Sequence, residues 1–218
     1  MAVRTILTWP NHRLGIKSEP ITNFDDHLVT IVNDLIDTLR CNYGAGLAAP
    51  QVNIHSRVVV IDCSKFDVVS PDPYGGDDTL LVLVNPILDL SHDKQSWNEA
   101  CLSVPNVEGK VSRASSTVVT YYSVENRPKQ IRVQWPLAGA IQHECDHLDG
   151  ILYMANMSSF NRRMLIKQLR RAHQQYIAAM QTEPTDKKKK GSTHSMKVKK
   201  NRKRLSKKFG VTKRQRKK

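Results

Sequence analysis

The sequence predicts an α+β fold, with a C-terminal helix and a basic tail after it. Three observations carry this. Strand-like runs precede and follow a central helix without regular strand–helix alternation. A second long helical pattern comes only after the last strand. Charge is also segregated: of the 34 Lys and Arg, 17 fall in Lys187–Lys218, a stretch with no Asp or Glu. The other 17 face all 20 acidic residues within residues 1–186, so a body of net charge −3 carries a tail of +17. A uniformly basic globule is excluded.

The elements follow in order. Apolar residues at 28, 31, 32, 35, 36 and 39 form one stripe at helical spacing over residues 27–40, and Asp25 or Asp26 can cap its start. Residues 43–51 break that pattern with Gly44 and Gly46. Arg57–Asp62 reads as a buried strand, and Leu80–Asn85 as a second one stopped by Pro86. Pro71–Gly76 between them has the chemistry of a surface loop. Ser116–Val124 is rich in β-branched residues and tyrosine and reads as a strand, followed by a short one at Ile131–Val133. Pro136 suits the first turn of a central helix over 136–148, which Gly150 can end.

A last helix is expected over about 159–180, capped by Ser158 or Ser159. Its apolar stripe is Phe160, Met164, Leu165, Leu169, Tyr176, Ile177 and Met180, and its other face is basic, with Arg162, Arg163, Lys167, Arg170 and Arg171. The tail beyond is polar and self-repelling, cannot form a core and is expected to be disordered.

No apolar run is long enough to span a bilayer. Met1–Pro10 has one Arg and no extended apolar segment, so no secretion signal is expected. In that setting the four cysteines point to a metal or catalytic role before disulfides. Cys41, Cys63 and Cys145 are expected to be small buried hydrophobes.

Residues 143–147 read His-Glu-Cys-Asp-His. On a helix, positions i and i+4 share a face, so His143 and His147 can reach one metal ion. Glu144 then stands beside that ion, placed to take a proton from water. The competing account is a pair of helix histidines satisfied by hydrogen bonds. A catalytic site usually has three protein ligands and an open position. The downstream patterns of metallopeptidases do not supply a third: Tyr153 occupies the place of a metzincin's third histidine, and the next Glu is Glu183. The third ligand is expected upstream.

Two upstream segments fit, Gly44-Ala45-Gly46-Leu47-Ala48-Ala49-Pro50-Gln51 and Glu99-Ala100-Cys101-Leu102-Ser103. With Gln142-His143-Glu144-Cys145-Asp146-His147-Leu148 they resemble, in order and spacing, the three motifs of peptide deformylases over roughly residues 3–180. The resemblance implies antiparallel sheets around a central metal-binding helix, in an enzyme that removes the formyl group from N-formylmethionine on nascent chains. It makes Cys101, His143 and His147 the metal ligands and Glu144 the general base. It gives Gln51 and the Leu102 backbone N–H the role of oxyanion donors. The metal it implies is Fe²⁺ foremost, with Zn²⁺, Ni²⁺ or Co²⁺ as alternatives. It also implies a substrate surface at Gly44, Ala45, Gly46, Ala100, Gly139 and Ala140, where the peptide pairs like an added β-strand. Arg113 and Asp146 would form a salt bridge behind the site.

Two departures stand out. Ala100 occupies a position where the family prefers Gly. Gly139 and Ala140 replace larger apolar residues, and the expectation is a wider first-residue pocket.

The organisation expected is a catalytic domain over 1–157, an amphipathic helix over 158–181 and a basic tail over 182–218. The tail and the basic helix face suit phosphate backbones, which points to the ribosome and its RNA as partner. The compartment expected is the cytoplasm of a bacterium or phage-infected host, with an organelle interior as the alternative. Two other readings of the chain are a catalytically weakened RNA- or ribosome-binding relative and a metallopeptidase.

Overall fold

The computed structural model describes residues 2–181. The basic tail over 182–218, with its expected disorder, lies outside the described residues.

Helix α1 (Asp26–Cys41) begins where the Asp25 side chain accepts the N–H groups of His27 and Leu28, the capping expected of an Asp at this place. Its apolar stripe, Leu28, Ile31, Val32, Leu35, Ile36 and Leu39, is buried throughout. Eight strands follow: β1 (Gly46–Ala48), β2 (Val58–Asp62), β3 (Pro73–Tyr74), β4 (Asp77–Leu90), β5 (Lys94–Cys101), β6 (Val104–Ala114), β7 (Ser116–Tyr122) and β8 (Pro128–Gln134). They form two antiparallel sheets. One has the order β1-β2-β4-β7-β8, with β3 also on β4, and the other is the β5–β6 hairpin.

The larger sheet is buried on both faces, which explains the continuous apolar runs of β2 and β4. Side chains alternate between faces of a strand. Val58 and Val60 of β2, with Leu80, Val82 and Val84 of β4, pack with the α1 stripe. Val59 and Ile61, with Leu81 and Leu83, pack on the other face against Leu137, Ala138, Ile141, Cys145 and Leu148. Those five residues belong to α2 (Leu137–Leu148), the central helix, with Pro136 at its N-cap.

Four elements differ from expectation. Pro73–Tyr74, inside the loop expected at Pro71–Gly76, forms the short strand β3. Pro86 does not stop β4. The chain bulges there instead, with Asn85 at φ 53° and a register shift against β7 between Val84 and Ile87, so the strand absorbs the missing N–H and continues to Leu90. Residues 46–48, read as pattern-breaking, form the short edge strand β1. The β5–β6 hairpin was not read from the sequence: its buried face mixes Val104 and Val111 with Glu99, Cys101, Gly109 and Arg113, so the apolar alternation is interrupted.

Residues 1–165 form one compact unit, and a second comprises 166–218, described here as far as 181. Helix α3 (Ser159–Gln181) begins in the first. Ser158 Oγ accepts the Asn161 N–H at 3.3 Å, the capping anticipated for this serine. Of the apolar stripe, Leu165 and Leu169 are buried, whereas Phe160, Met164, Tyr176 and Ile177 are exposed, so the buried seam is narrower than the sequence pattern. Among the described residues, no helix is long and apolar enough to cross a membrane. All four cysteines are free, and Cys41, expected to be buried, is exposed at the end of α1.

Candidate active site and metal centre

Helix α2 supplies two of the candidate ligands and β5 the third. His143 and His147 are one helical turn apart on the same face, and Cys101 ends β5 beside them. One donor atom from each lies within 4.8 Å of the others, and all three residues are buried. The Cys101 Sγ to His147 Nε2 distance is 3.2 Å. His143 Nδ1 is 2.7 Å from Glu99 Oε2, which leaves its Nε2 for the cluster. One thiol and two imidazoles converging in a buried pocket fit a divalent cation with three protein ligands and an open position. Burial and the neighbouring His143 push the His147 pKa well below the ordinary histidine value.

Glu144, the residue after His143, is buried, and its Oε2 has no hydrogen-bond partner among the described residues. Burial pushes its carboxyl up to about 7, the range of a carboxylate able to take and return a proton near neutrality. Tyr153, at the metzincin ligand position, is not part of the cluster. Its ring stacks on His143 with centroids 6.1 Å apart, and its hydroxyl donates to the Val107 carbonyl at 3.4 Å.

Behind the cluster lies a buried ionic network. Arg113 on β6 donates to both carboxylate oxygens of Glu99, at 2.7 and 2.9 Å, and to Asp146 Oδ2 at 2.5 Å. The Arg113–Asp146 pair anticipated from the sequence is therefore present. Glu99 was missed, although it joins the hairpin, Arg113 and a candidate ligand. Burial works to raise the Glu99 pKa, but hydrogen bonds from Arg113 and His143 outweigh it and hold the carboxyl at about 2. The available signal was strand periodicity: Glu99 is two residues before Cys101 and shares its face.

A cavity of about 530 Å³ opens at the cluster. Gly44, Ala45, Gly46, Gln51, Ala100, Cys101, Leu102, Ala140, His143 and Glu144 all line it, so most of the residues singled out in the sequence meet here. The Gln51 amide is oriented by its own bonds. Its Oε1 accepts the Ala48 N–H at 2.8 Å, so its Nε2 faces Ser103 Oγ at 3.1 Å and Cys101 Sγ at 3.6 Å. The N-terminal segment clips these loops, Leu7 N–H donating to the Gln51 carbonyl and Trp9 N–H to that of Ser103. Ala100 sits at a bulge between Ala100 and Cys101, and its φ is not positive, so its methyl group brings no backbone strain.

At Gly139 a neighbouring residue occupies the freed space. Contrary to expectation, Gly139 is not among the residues lining the cavity: a Cβ there would meet Trp135 Cζ3 at 2.7 Å, because the indole fills the volume that the small residue frees.

The model of the polypeptide deformylase family matches residues 3–163. The chain belongs to the peptide deformylase family. It is 34% identical over 177 residues to the peptide deformylase of Azotobacter vinelandii, covering 81% of this chain and 99% of the relative. It is 37% identical over 167 residues to that of Nitrosococcus oceani, covering 77% and 94%. The crystal structure of a peptide deformylase from Legionella pneumophila superposes with a TM-score of 0.70 at 33% identity, covering 84% of this chain and all of that one. As a member of the peptide deformylase family the chain is a hydrolase, and its Cys/His/His cluster supports a divalent metal. Neither the metallopeptidase reading nor the weakened binding protein finds support in these relatives.

Proposed function

We propose that this site hydrolyses the N-formyl group of N-formylmethionyl peptides, with Cys101, His143 and His147 holding the metal and Glu144 as general base. The observation that carries the reading is the buried convergence of one thiol and two imidazoles beside Glu144, in a chain of this family. When bound, the divalent cation polarises the formyl carbonyl and lowers the pKa of water at its open position. Fe²⁺ is the metal proposed, with Zn²⁺, Ni²⁺ or Co²⁺ able to occupy the same donors.

Glu144 takes the proton of the attacking water and delivers it to the departing amine. Gln51 Nε2, already turned into the site, and the Leu102 backbone N–H donate to the oxyanion; losing one such donor typically costs about 10²–10³ in rate. Glu99 holds the His143 ring through Nδ1, and Arg113 holds Glu99, so the ligand's orientation is set before substrate arrives. Gly44, Ala45 and Gly46 flank the open edge of β1, where an extended peptide can pair. Ala100 and Ala140 line the space beyond.

The test is anaerobic turnover of a formyl-Met peptide by the metal-loaded protein, with metal analysis. Glu144→Ala and Cys101→Ser are expected to abolish turnover. A metal-loaded but inactive wild type, or cleavage of internal peptide bonds, overturns the reading.

We further propose that residues 1–157 are the catalytic part and that 158–181 and the tail beyond anchor it to ribosomal RNA in a cytoplasm where formylated chains are made. The exposed Arg162, Arg163, Lys167, Arg170 and Arg171 of α3 and the 17 tail cations support this. Co-sedimentation with ribosomes is expected to weaken steeply with salt and to fall when the chain ends at residue 186. Equal binding of the two chains across the salt series sinks the idea.

A further inference from the structure

Trp97, on β5, forms part of the cavity wall beside Cys101, His143 and Glu144. No motif pointed to it. Its indole Nε1–H donates to Glu99 Oε1 at 2.9 Å, so the ring is tied to the carboxylate that orients His143. Its ring also meets Trp135 edge-on, with centroids 4.6 Å apart and planes at 70°. Trp135 in turn rests on Gly139, where any Cβ would stand 2.7 Å from its Cζ3. A run of rigid contacts thus leads from the first turn of α2, through two indoles, to the wall of the cavity. The small side chains Ala100 and Ala140 line the same cavity.

We propose that Trp97 determines which first side chain the cavity admits, and that Trp135, seated on Gly139, fixes Trp97 in place. This rests on the deformylase reading: with the formyl group at the Cys/His/His cluster, the side chain of the first residue has this cavity to occupy. An indole braced by a second indole and pinned by a hydrogen bond does not swing aside. It therefore limits the width available and favours a flexible, unbranched side chain. Methionine fits this wall well, since its thioether makes favourable contacts with aromatic rings. Gly139 then acts at one remove, admitting the brace rather than enlarging the pocket.

The experiment compares kcat/KM for two otherwise identical peptides, headed by formyl-Met and by formyl-Phe. It uses the metal-loaded full chain, its Trp97→Ala, Trp97→Leu and Gly139→Ala variants, and thermal melting as the check on folding. The formyl-Met preference is expected to fall about tenfold in Trp97→Ala, the scale on which apolar pockets discriminate size, mainly through a lower KM for the formyl-Phe peptide. Gly139→Ala, whose added Cβ would meet the Trp135 ring first, is expected to reduce the preference in the same direction by displacing Trp135. An unchanged preference in the folded Trp97→Ala protein overturns the proposal. Should that variant fail to fold, an unchanged preference in both Trp97→Leu and Gly139→Ala does so. Formate release from the formyl-Met peptide by the wild type tests the deformylase reading separately. If it releases none, titration calorimetry of the two peptides reads the same preference as a ratio of affinities.

Discussion

A Cβ on Gly46 would stand 2.5 Å from Glu144 Oε1 and 2.8 Å from Glu144 Cδ and Cγ. The edge strand β1 and the central helix α2 approach each other at Glu144, the residue proposed as general base. The absence of a side chain at 46 is thus a condition for where Glu144 sits, beyond any access it gives to substrate. Gly46→Ala is expected to lower kcat by about 10²-fold, the usual cost of displacing a catalytic group by about 1 Å, while metal content stays at the wild-type level. Wild-type kcat in this variant would show that Glu144 tolerates the shift.

Arg113 is buried among Glu99 and Asp146, and removing one partner of a buried ionic network leaves a charge uncompensated. Arg113→Met is expected to destabilise the protein by about 3–5 kcal/mol in denaturant unfolding. Asp146→Asn is expected to cost less, because Asp146 is partly exposed.

Glu99→Gln keeps the shape of the side chain but removes the charge that holds His143 Nδ1. Metal affinity, measured by competition with a chelator, is expected to drop by about 10–100-fold. An unchanged affinity would mean that His143 keeps its orientation without Glu99.

A metal held by Cys101, His143 and His147, as proposed, binds the folded cluster more tightly than the dispersed ligands of the unfolded chain. Chelation is therefore expected to abolish turnover and to lower the melting temperature, since a ligand at 100 times its Kd adds about 2.7 kcal/mol. Cys101→Ser is expected to shrink that metal-dependent difference, and Cys41→Ser to leave it intact, because Cys41 lies at the exposed end of α1. Equal shrinkage in both variants would detach Cys101 from the metal.

Asp34 couples the N-terminal segment to α1: its carboxylate accepts from Ala2 N at 2.6 Å and from Arg4 Nε at 2.8 Å. Burial works to raise its pKa, but the bonds from Arg4 and Ala2 prevail and lower it. A carboxyl held lower in the folded state contributes stability above its unfolded pKa of about 3.9, and that contribution is lost as pH falls through the folded value. The melting-temperature gap between wild type and Arg4→Ala is therefore expected to be full at pH 7 and to close in strong acid. A gap independent of pH would assign the effect to packing of the Arg4 stem.

Legibility followed the kind of signal each element carried. The α1 stripe and the His-Glu-x-x-His helix obey helical spacing, and both stand where the sequence places them. β2 and β4 are apolar runs, and both are strands. β5 and β6 escaped because their inward face intersperses Glu99, Cys101, Gly109 and Arg113 with Val104 and Val111, so the period of two was only partly written in apolar residues. The same motif holds both Glu99 and Cys101, but only Cys101 drew a role from it; that of Glu99 comes from its contacts with Arg113 and His143. Trp97 and Trp135 gave no signal because their importance is mutual, and 38 residues separate them.

The fold class, the family, the charged tail and the chemical identity of the cluster are written in local spacing and short motifs, and so are legible along the chain. What surrounds the cluster comes from long-range packing. That packing seated Trp135 in the space freed at Gly139, set the Gly46 backbone against Glu144 and closed Glu99 and Arg113 behind His143. Such contacts arise from the packing of elements distant in sequence, where shape and burial, rather than residue type, determine which groups meet.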